Sequence, residues 1–190
     1  MVLNVTAGEL KGRKLYSPKS RVVRPTGARV REALFSIIGE NVFEANVLDI
    51  FSGSGTIGIE ALSRGAKSCT FVESSAGVIE VLKRNIKELG LRERTSIIPL
   101  DATKAIKMIK NSNEKNKFDI IFLDPPYSRF NQTQELILSI STNDILTPEG
   151  TLVWEHDSKR SPEKIFGSLK NNFTKRYGDT SITFFSKLTR

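Results

Sequence analysis

The sequence predicts an α/β fold, a mostly parallel sheet with helices on both faces, preceded by a small N-terminal β-hairpin and arm. Three observations carry the prediction. From Asn46 onward, short apolar runs alternate with amphipathic stretches. One such run passes directly into a glycine-rich turn and a helix, and the chain closes on two runs joined by Gly178-Asp179, the pattern of an antiparallel hairpin. With 190 residues, 38% of them hydrophobic and 26% charged, there is material for one domain with a sizeable core and a small appendage, and the composition is not that of a disordered chain. The expected division is a hairpin and basic arm over 1–26 and the α/β body over 27–190.

In order along the chain, Val2 to Thr6 and Lys14 to Ser17 read as short strands around a turn containing Gly8 and Gly12, and a polar, proline-containing stretch then runs to Thr26. From Ala28 to Ile38 the apolar residues Val30, Ala33, Leu34, Ile37 and Ile38 share one arc at helical spacing, with Arg29 and Arg31 on its rims, which predicts a docked helix with basic edges. Strand candidates follow at Val47 to Phe51, Ser68 to Val72, Thr95 to Leu100, Phe118 to Leu123 and Thr151 to Glu155. Between them Ile79, Leu82, Ile86 and Leu89 form the best helical stripe, with Glu80, Lys83, Arg84 and Lys87 facing water. Phe173 to Tyr177 and Ser181 to Phe185 make the closing hairpin.

Lys and Arg number 29 against 21 Asp and Glu, a formal charge of +8 that favours an anionic partner. The excess is concentrated. Lys11, Arg13, Lys14, Lys19, Arg21, Arg24, Arg29 and Arg31 face the single acid Glu9 in the first 31 residues, and the rest of the chain is nearly neutral. The one cysteine, Cys69, cannot form an intramolecular disulfide. Met1 to Thr6 lacks the basic-then-apolar pattern of a signal peptide, and no apolar run approaches membrane-spanning length, so the expected compartment is the cytoplasm.

Two motifs carry chemistry. In Val47-Leu-Asp49-Ile-Phe51-Ser52-Gly53-Ser54-Gly55-Thr-Ile-Gly58 a buried strand runs into a glycine loop and a helix, where backbone amides meet a ligand at a helix start. The spacing Gly53-x-Gly55-x-x-Gly58 alone matches a dinucleotide loop. Asp49 departs from that pattern, because a carboxylate there suits a positively charged ligand end better than a pyrophosphate; as a plainer alternative, it caps the turn or the helix. Glu73, 18 residues after Gly55, stands near the offset at which an acid accepts hydrogen bonds from ribose hydroxyls. Asp101, with Ala102 beside it, follows the third strand, where it could take an adenine amino group. Three acids at successive strand ends point to an adenosine ligand.

The second motif is Asp124-Pro125-Pro126-Tyr127, directly after Phe118 to Leu123. Two prolines force the chain off the sheet and leave the Asp124 carboxylate and the Pro125 carbonyl as acceptors. An exocyclic base amine needs such a pair, since its lone pair is delocalised into the ring. Accepting its N–H bonds orients it and stabilises the charge that develops on methylation. Tyr127 would stack on a target base flipped out of its helix.

On these residues the chain resembles the class I AdoMet-dependent amino-methyltransferases, and among them the bacterial RsmD-type 16S ribosomal RNA guanine-N2 methyltransferases. The resemblance rests on Gly8-Glu-Leu-Lys11-Gly12-Arg13-Lys14-Leu15, Arg24-Pro25-Thr26 with Arg29-Val-Arg31-Glu32-Ala-Leu-Phe35, Leu48 to Gly55 with Gly58-Ile-Glu60-Ala-Leu-Ser-Arg64-Gly65-Ala66, Glu73 and the Asp-Pro-Pro-Tyr sequence. Ala28 departs from it, standing where the family usually has an acid. The resemblance implies a Rossmann-like seven-stranded sheet of order 3-2-1-4-5-7-6 with strand 7 antiparallel. It implies S-adenosyl-L-methionine (AdoMet) held by Asp49, Phe51, Ser52, Gly53, Ser54, Gly55, Glu73, Asp101 and Ala102, and catalysis by Asp124, Pro125, Pro126 and Tyr127. Its implied partner is 16S ribosomal RNA or the small ribosomal subunit, contacted through phosphates by Lys11, Arg13, Lys14, Arg24, Arg29 and Arg31 of a monomer. Deletion of residues 1 to 26 should then weaken RNA binding and leave AdoMet binding intact.

Other readings remain at this stage. A DNA adenine or cytosine amino-methyltransferase shares Asp-Pro-Pro-Tyr, but only the short arm is left over for target recognition. A nicotinamide oxidoreductase fits the glycine spacing alone, and a non-catalytic RNA-binding or assembly module would not need Asp49, Glu73 and Asp124. His156, the only histidine, reads as a surface or supporting residue, Cys69 as buried filler and Trp154 as sheet packing. No cluster has metal-ligand spacing, so no metal is expected.

Overall fold

A computed structural model describes residues 3–18, 27–112 and 117–188 of the chain. The alternation of runs and stripes becomes β3 (Asn46–Ile50), α2 (Thr56–Ser63), β4 (Ser68–Val72), α3 (Ala76–Glu88), β5 (Thr95–Ile98), α4 (Ala102–Asn111), β6 (Phe118–Leu123), α5 (Phe130–Thr142) and β7 (Leu146–Asp157). It is preceded by β1 (Leu3–Asn4), β2 (Lys14–Leu15) and α1 (Ala28–Ile38), and followed by β8 (Ile165–Phe166), β9 (Leu169–Tyr177) and β10 (Thr180–Lys187). The main sheet has the order β5-β4-β3-β6-β7-β10-β9-β8, and β1 pairs with β2 separately.

This is the implied order with one addition, the two-residue edge strand β8. Strands β3 to β7 run parallel, while β10 is antiparallel to both β7 and β9. Strand β7 is longer than its sequence pattern suggested. It starts at Leu146, opposite Phe118, and its register shifts before Thr151 pairs with Ile120. It ends at Asp157, beyond Glu155, and so takes in His156.

Each strand alternates between two cores, as the pleat requires. Val47, Phe71, Phe122, Val153 and Phe184 pack with α1, α2 and α3, whereas Leu48, Ile50, Leu123, Trp154 and Phe185 pack with α4 and α5. The N-terminal hairpin joins the first core through Leu3, Val5 and Leu15. Helix α2 is buried on every side, including Glu60. Strand order reverses between β3 and β6, since β4 and β5 lie to one side and β7 to the other. In a parallel sheet that reversal opens a crevice at the carboxyl ends of the strands, the usual place for a ligand.

Candidate active site at the carboxyl edge of the sheet

Both sequence motifs leave the sheet at this crevice. Ile50 pairs with Leu123, and the Asp124 amide donates to the Ile50 carbonyl at 3.4 Å, so the glycine loop and Asp-Pro-Pro-Tyr depart side by side. The loop turns sharply. Phe51, Gly53 and Gly55 have φ of 64°, 54° and 83°, and the Gly55 amide closes onto the Ser52 carbonyl at 2.8 Å. A bulky residue such as Phe51 in the left-handed region costs on the order of 1–3 kcal/mol, a strain that clusters at ligand-binding turns.

A Cβ on Gly55 would collide with Leu82, and one on Gly58 with Phe71 and Cys69. A side chain at either position would hold α2 off α3 and β4, and at Gly55 the left-handed backbone itself also favours glycine.

Asp49 takes the capping role that the sequence left as its plainer alternative. Its carboxylate is only 1% exposed and accepts the Gly58 amide at 2.9 Å, so it caps the first turn of α2 from beneath the loop instead of facing solvent. Burial raises its pKa to about 7, against the lowering effect of the Gly58 bond, and the charges of Asp124 and Glu73 push in the same direction as burial. Those interactions show that Asp49, Glu73 and Asp124 share one electrostatic neighbourhood.

Glu73 is held in place. One oxygen accepts the Gly53 amide at 3.1 Å, the other the amides of Ser74 and Ser75 at 2.8 and 2.9 Å. Asp101 is the N-cap of α4, accepting from the Thr103 amide at 3.0 Å, and its other oxygen lies 3.7 Å from Arg129. The Ala102 side chain is buried in the second core, which leaves only its backbone for a ligand. In the glycine loop the Ser52 hydroxyl is buried without a hydrogen-bond partner among the described residues. The Ser54 hydroxyl bonds Thr56 at 3.1 Å.

Beyond β6, Pro125 is buried and Pro126 exposed. Tyr127 opens a short 3-10 turn, and its hydroxyl lies 2.6 Å from that of Thr180. His156 is buried at the end of β7, not at the surface. Its ring stands against Phe130 and Trp154, Nε2 meets the Thr183 hydroxyl at 2.8 Å, and burial lowers its pKa. Cys69 and Trp154 are buried as expected.

The basic residues part company. Lys11, Arg13, Lys14 and Arg29 are exposed, with the Arg13 guanidinium also donating to the Glu88 carbonyl at 2.9 Å. Arg24 lies outside the described residues. Arg31 corrects the sequence reading: it is 1% exposed, donates to the Asn4 carbonyl at 2.8 Å and lies 3.9 Å from the Glu60 carboxylate. A guanidinium enclosed in this way fastens the hairpin to the body and does not meet a phosphate.

Sequence reasoning missed the two side chains that tie the hairpin to the site. Glu60 accepts the Thr6 amide and hydroxyl and the Ala7 amide, and pairs with Arg64 at 3.0 Å. Asn85 accepts the Tyr16 amide and donates to the carbonyls of Tyr16 and Ser54, so one buried amide links the end of β2 to the glycine loop. Each had a signal, an acid inside an all-buried helix and an amide next to an apolar stripe.

The family model described as Conserved hypothetical protein 95 matches residues 3–186. YlbH of Bacillus subtilis is 34% identical over 185 residues, 97% of this chain and 99% of that protein. The chain belongs to the RsmD-type family. Another relative, Ribosomal RNA small subunit methyltransferase D of Haemophilus influenzae, is 35% identical over 161 residues, 84% of this chain and 81% of its own. The solved structure of yhhF from Escherichia coli superposes with a TM-score of 0.86 at 26% identity, covering 100% of both chains. The family's methyltransferase fold accounts for the strand order and for two loops meeting at the reversal.

Proposed function

We propose that the chain methylates the exocyclic N2 amine of a guanine in 16S ribosomal RNA, using AdoMet, within an assembling or assembled small subunit. The observation that carries the reading is the meeting of Asp124-Pro-Pro-Tyr with the glycine loop at the sheet reversal, where three carboxylates share one electrostatic field. The naming of curated relatives as ribosomal RNA small subunit methyltransferase D supports the RNA substrate.

The residues fit the cofactor. A cluster of carboxylates at one sheet edge suits a ligand with a positive centre, and the buried Ser52 hydroxyl has no partner among the described residues. In this reading Glu73 takes the ribose hydroxyls, Asp101 and the Ala102 backbone the adenine, and Phe51 to Gly55 the amino-acid part. Asp49 supports that stretch from below. When bound, AdoMet supplies a methyl group already activated on a sulfonium.

The protein's share of the chemistry is orientation and charge stabilisation. Asp124 and the Pro125 carbonyl accept the two N–H bonds of the amine and favour a pyramidal nitrogen. The Asp124 carboxylate stabilises the positive charge that develops there, Pro126 holds the exit of the loop, and Tyr127 stacks on the base. Residues 1–26 with Arg29 form the RNA-facing region, in which Lys11, Arg13, Lys14, Arg24 and Arg29 meet phosphates without selecting bases.

The test offers methyl-labelled AdoMet with naked 16S RNA, partly assembled subunits, complete subunits and duplex DNA. Label in the RNA or a subunit is the expected outcome. Label in DNA alone would overturn the substrate, and RNA binding with no transfer to any acceptor would make the chain a binding module.

A further inference from the structure

The Tyr127 hydroxyl has no role in stacking, because a phenylalanine ring presents the same face to a base. The structure gives the hydroxyl a different use. It lies 2.6 Å from the Thr180 hydroxyl, 53 residues away in sequence. Thr180 is the first residue of β10, in register with Asp157 on one side and Tyr177 on the other. The turn that carries it is braced: Gly178 takes the positive φ of 63°, the Ser158 amide donates to the Asp179 carbonyl at 2.9 Å, and Arg176 Nε donates to the Gly178 carbonyl at 3.0 Å. Thr180 thus offers its hydroxyl from a fixed point of the sheet.

On the other side, the backbone at Tyr127 follows two prolines and enters a turn closed by the Arg129 amide on the Pro126 carbonyl at 2.8 Å. The main chain is therefore set, and the angle of the ring is governed by its two side-chain torsions. The hydroxyl bond to Thr180 restrains both from the far end of the ring.

We propose that Thr180 is a positioning residue, which acts through the Tyr127 hydroxyl to hold the ring at the angle where the target base stacks. This rests on the methyltransferase reading above, with Tyr127 as the stacking residue. It also gives the closing hairpin a part in substrate engagement. An aromatic platform fixed before the RNA arrives loses less freedom on binding than one that must be ordered by the RNA.

The test compares Thr180→Val, Tyr127→Phe, the double variant and Thr180→Ser, using the RNA or subunit that the wild type methylates. Each single loss of a hydroxyl is expected to lower kcat/KM about five- to tenfold, mainly through KM for RNA, with AdoMet affinity unchanged. The double variant should be no worse than either single one, and Thr180→Ser should resemble the wild type. Independent, multiplying effects, or a Thr180→Val variant equal to wild type, would overturn the proposal.

A second readout does not depend on activity. With ring-labelled tyrosine, the Tyr127 resonance of the free protein should change in Thr180→Val, and an unchanged resonance would overturn the tether. A wild-type protein that transfers no methyl to RNA overturns the functional reading instead, and leaves the resonance to decide the tether.

Discussion

Two hairpins brace the two loops of the site, and they do so by different physics. The N-terminal hairpin has strands of two residues each, too short to stand alone, and is fastened to the body by Leu3, Val5 and Leu15 in the core and by buried polar clamps at Glu60 and Asn85. The closing hairpin belongs to the main sheet through strands of nine and eight residues, and reaches the site through a half-buried hydroxyl pair. Damage to the first should therefore appear as lost stability together with a loosened glycine loop. Damage to the second should appear in substrate engagement while the fold stands.

In the proposed mechanism the loop beside the closing hairpin carries the chemistry, and there the largest effect is expected. Asp124→Ala should lower kcat on the order of 10²–10³-fold while AdoMet affinity stays within about twofold. Calorimetry and turnover on one preparation separate the two, and lost cofactor binding with normal turnover at saturation would contradict the assignment.

On the side of the N-terminal hairpin, Glu60→Ala leaves Arg31 buried without its carboxylate and frees the Thr6 and Ala7 amides. It should destabilise the protein by about 3–5 kcal/mol in denaturant unfolding. Asn85→Ala strands the Ser54 and Tyr16 groups, at about 2 kcal/mol, and should also weaken AdoMet binding. A loss of stability with unchanged cofactor affinity would show that the clamp does not reach the loop.

A smaller effect comes from Asp49. Its folded pKa of about 7 is above the ordinary aspartate value, so the folded state keeps a proton that the unfolded chain releases. Stability falls as pH rises from about 4 to 7, and Asp49→Asn should flatten that slope. A bound positive charge favours the ionised carboxylate, so AdoMet should bind more tightly at pH 8 than at pH 6, by at most about tenfold, and this dependence should vanish in Asp49→Asn. The smallest effect belongs to the exposed cations. Neutralising Lys11 or Arg29 should weaken RNA binding a few-fold irrespective of sequence and lower the salt dependence by about one ion per charge removed. Point changes of this kind replace deletion of residues 1 to 26, which would strip Leu3, Val5 and Leu15 from the core and confuse binding with unfolding.

The fold and both loops are legible in the sequence because they are written locally. Glycine and proline mark the turns, and apolar periodicity marks the elements, so that α1, β4 and β6 have the boundaries expected. What was not legible depends on contacts across the chain. Arg31 lies on a helix rim by periodicity, and its burial depends on distant partners such as the Asn4 carbonyl and Glu60, 29 residues on. The spacing of Gly55 and Gly58 is that of a ligand loop, and it gives no sign that Leu82 and Phe71 leave no room for a side chain there. His156 continues the alternation of Leu152 and Trp154, but the strand pattern ended at Glu155, one residue too soon. Thr180 gives no sign at the start of a strand, where a threonine is ordinary.

The most direct measurement of the central claim is the identity of the methylated nucleoside. Small subunits or 16S RNA treated with wild-type protein and AdoMet would be digested to nucleosides and resolved by mass spectrometry against standards. The expected result is N2-methylguanosine, absent when Asp124→Ala replaces the wild type. A methyl group on a ring nitrogen, a ribose or a DNA base, or one that persists in Asp124→Ala, would contradict it.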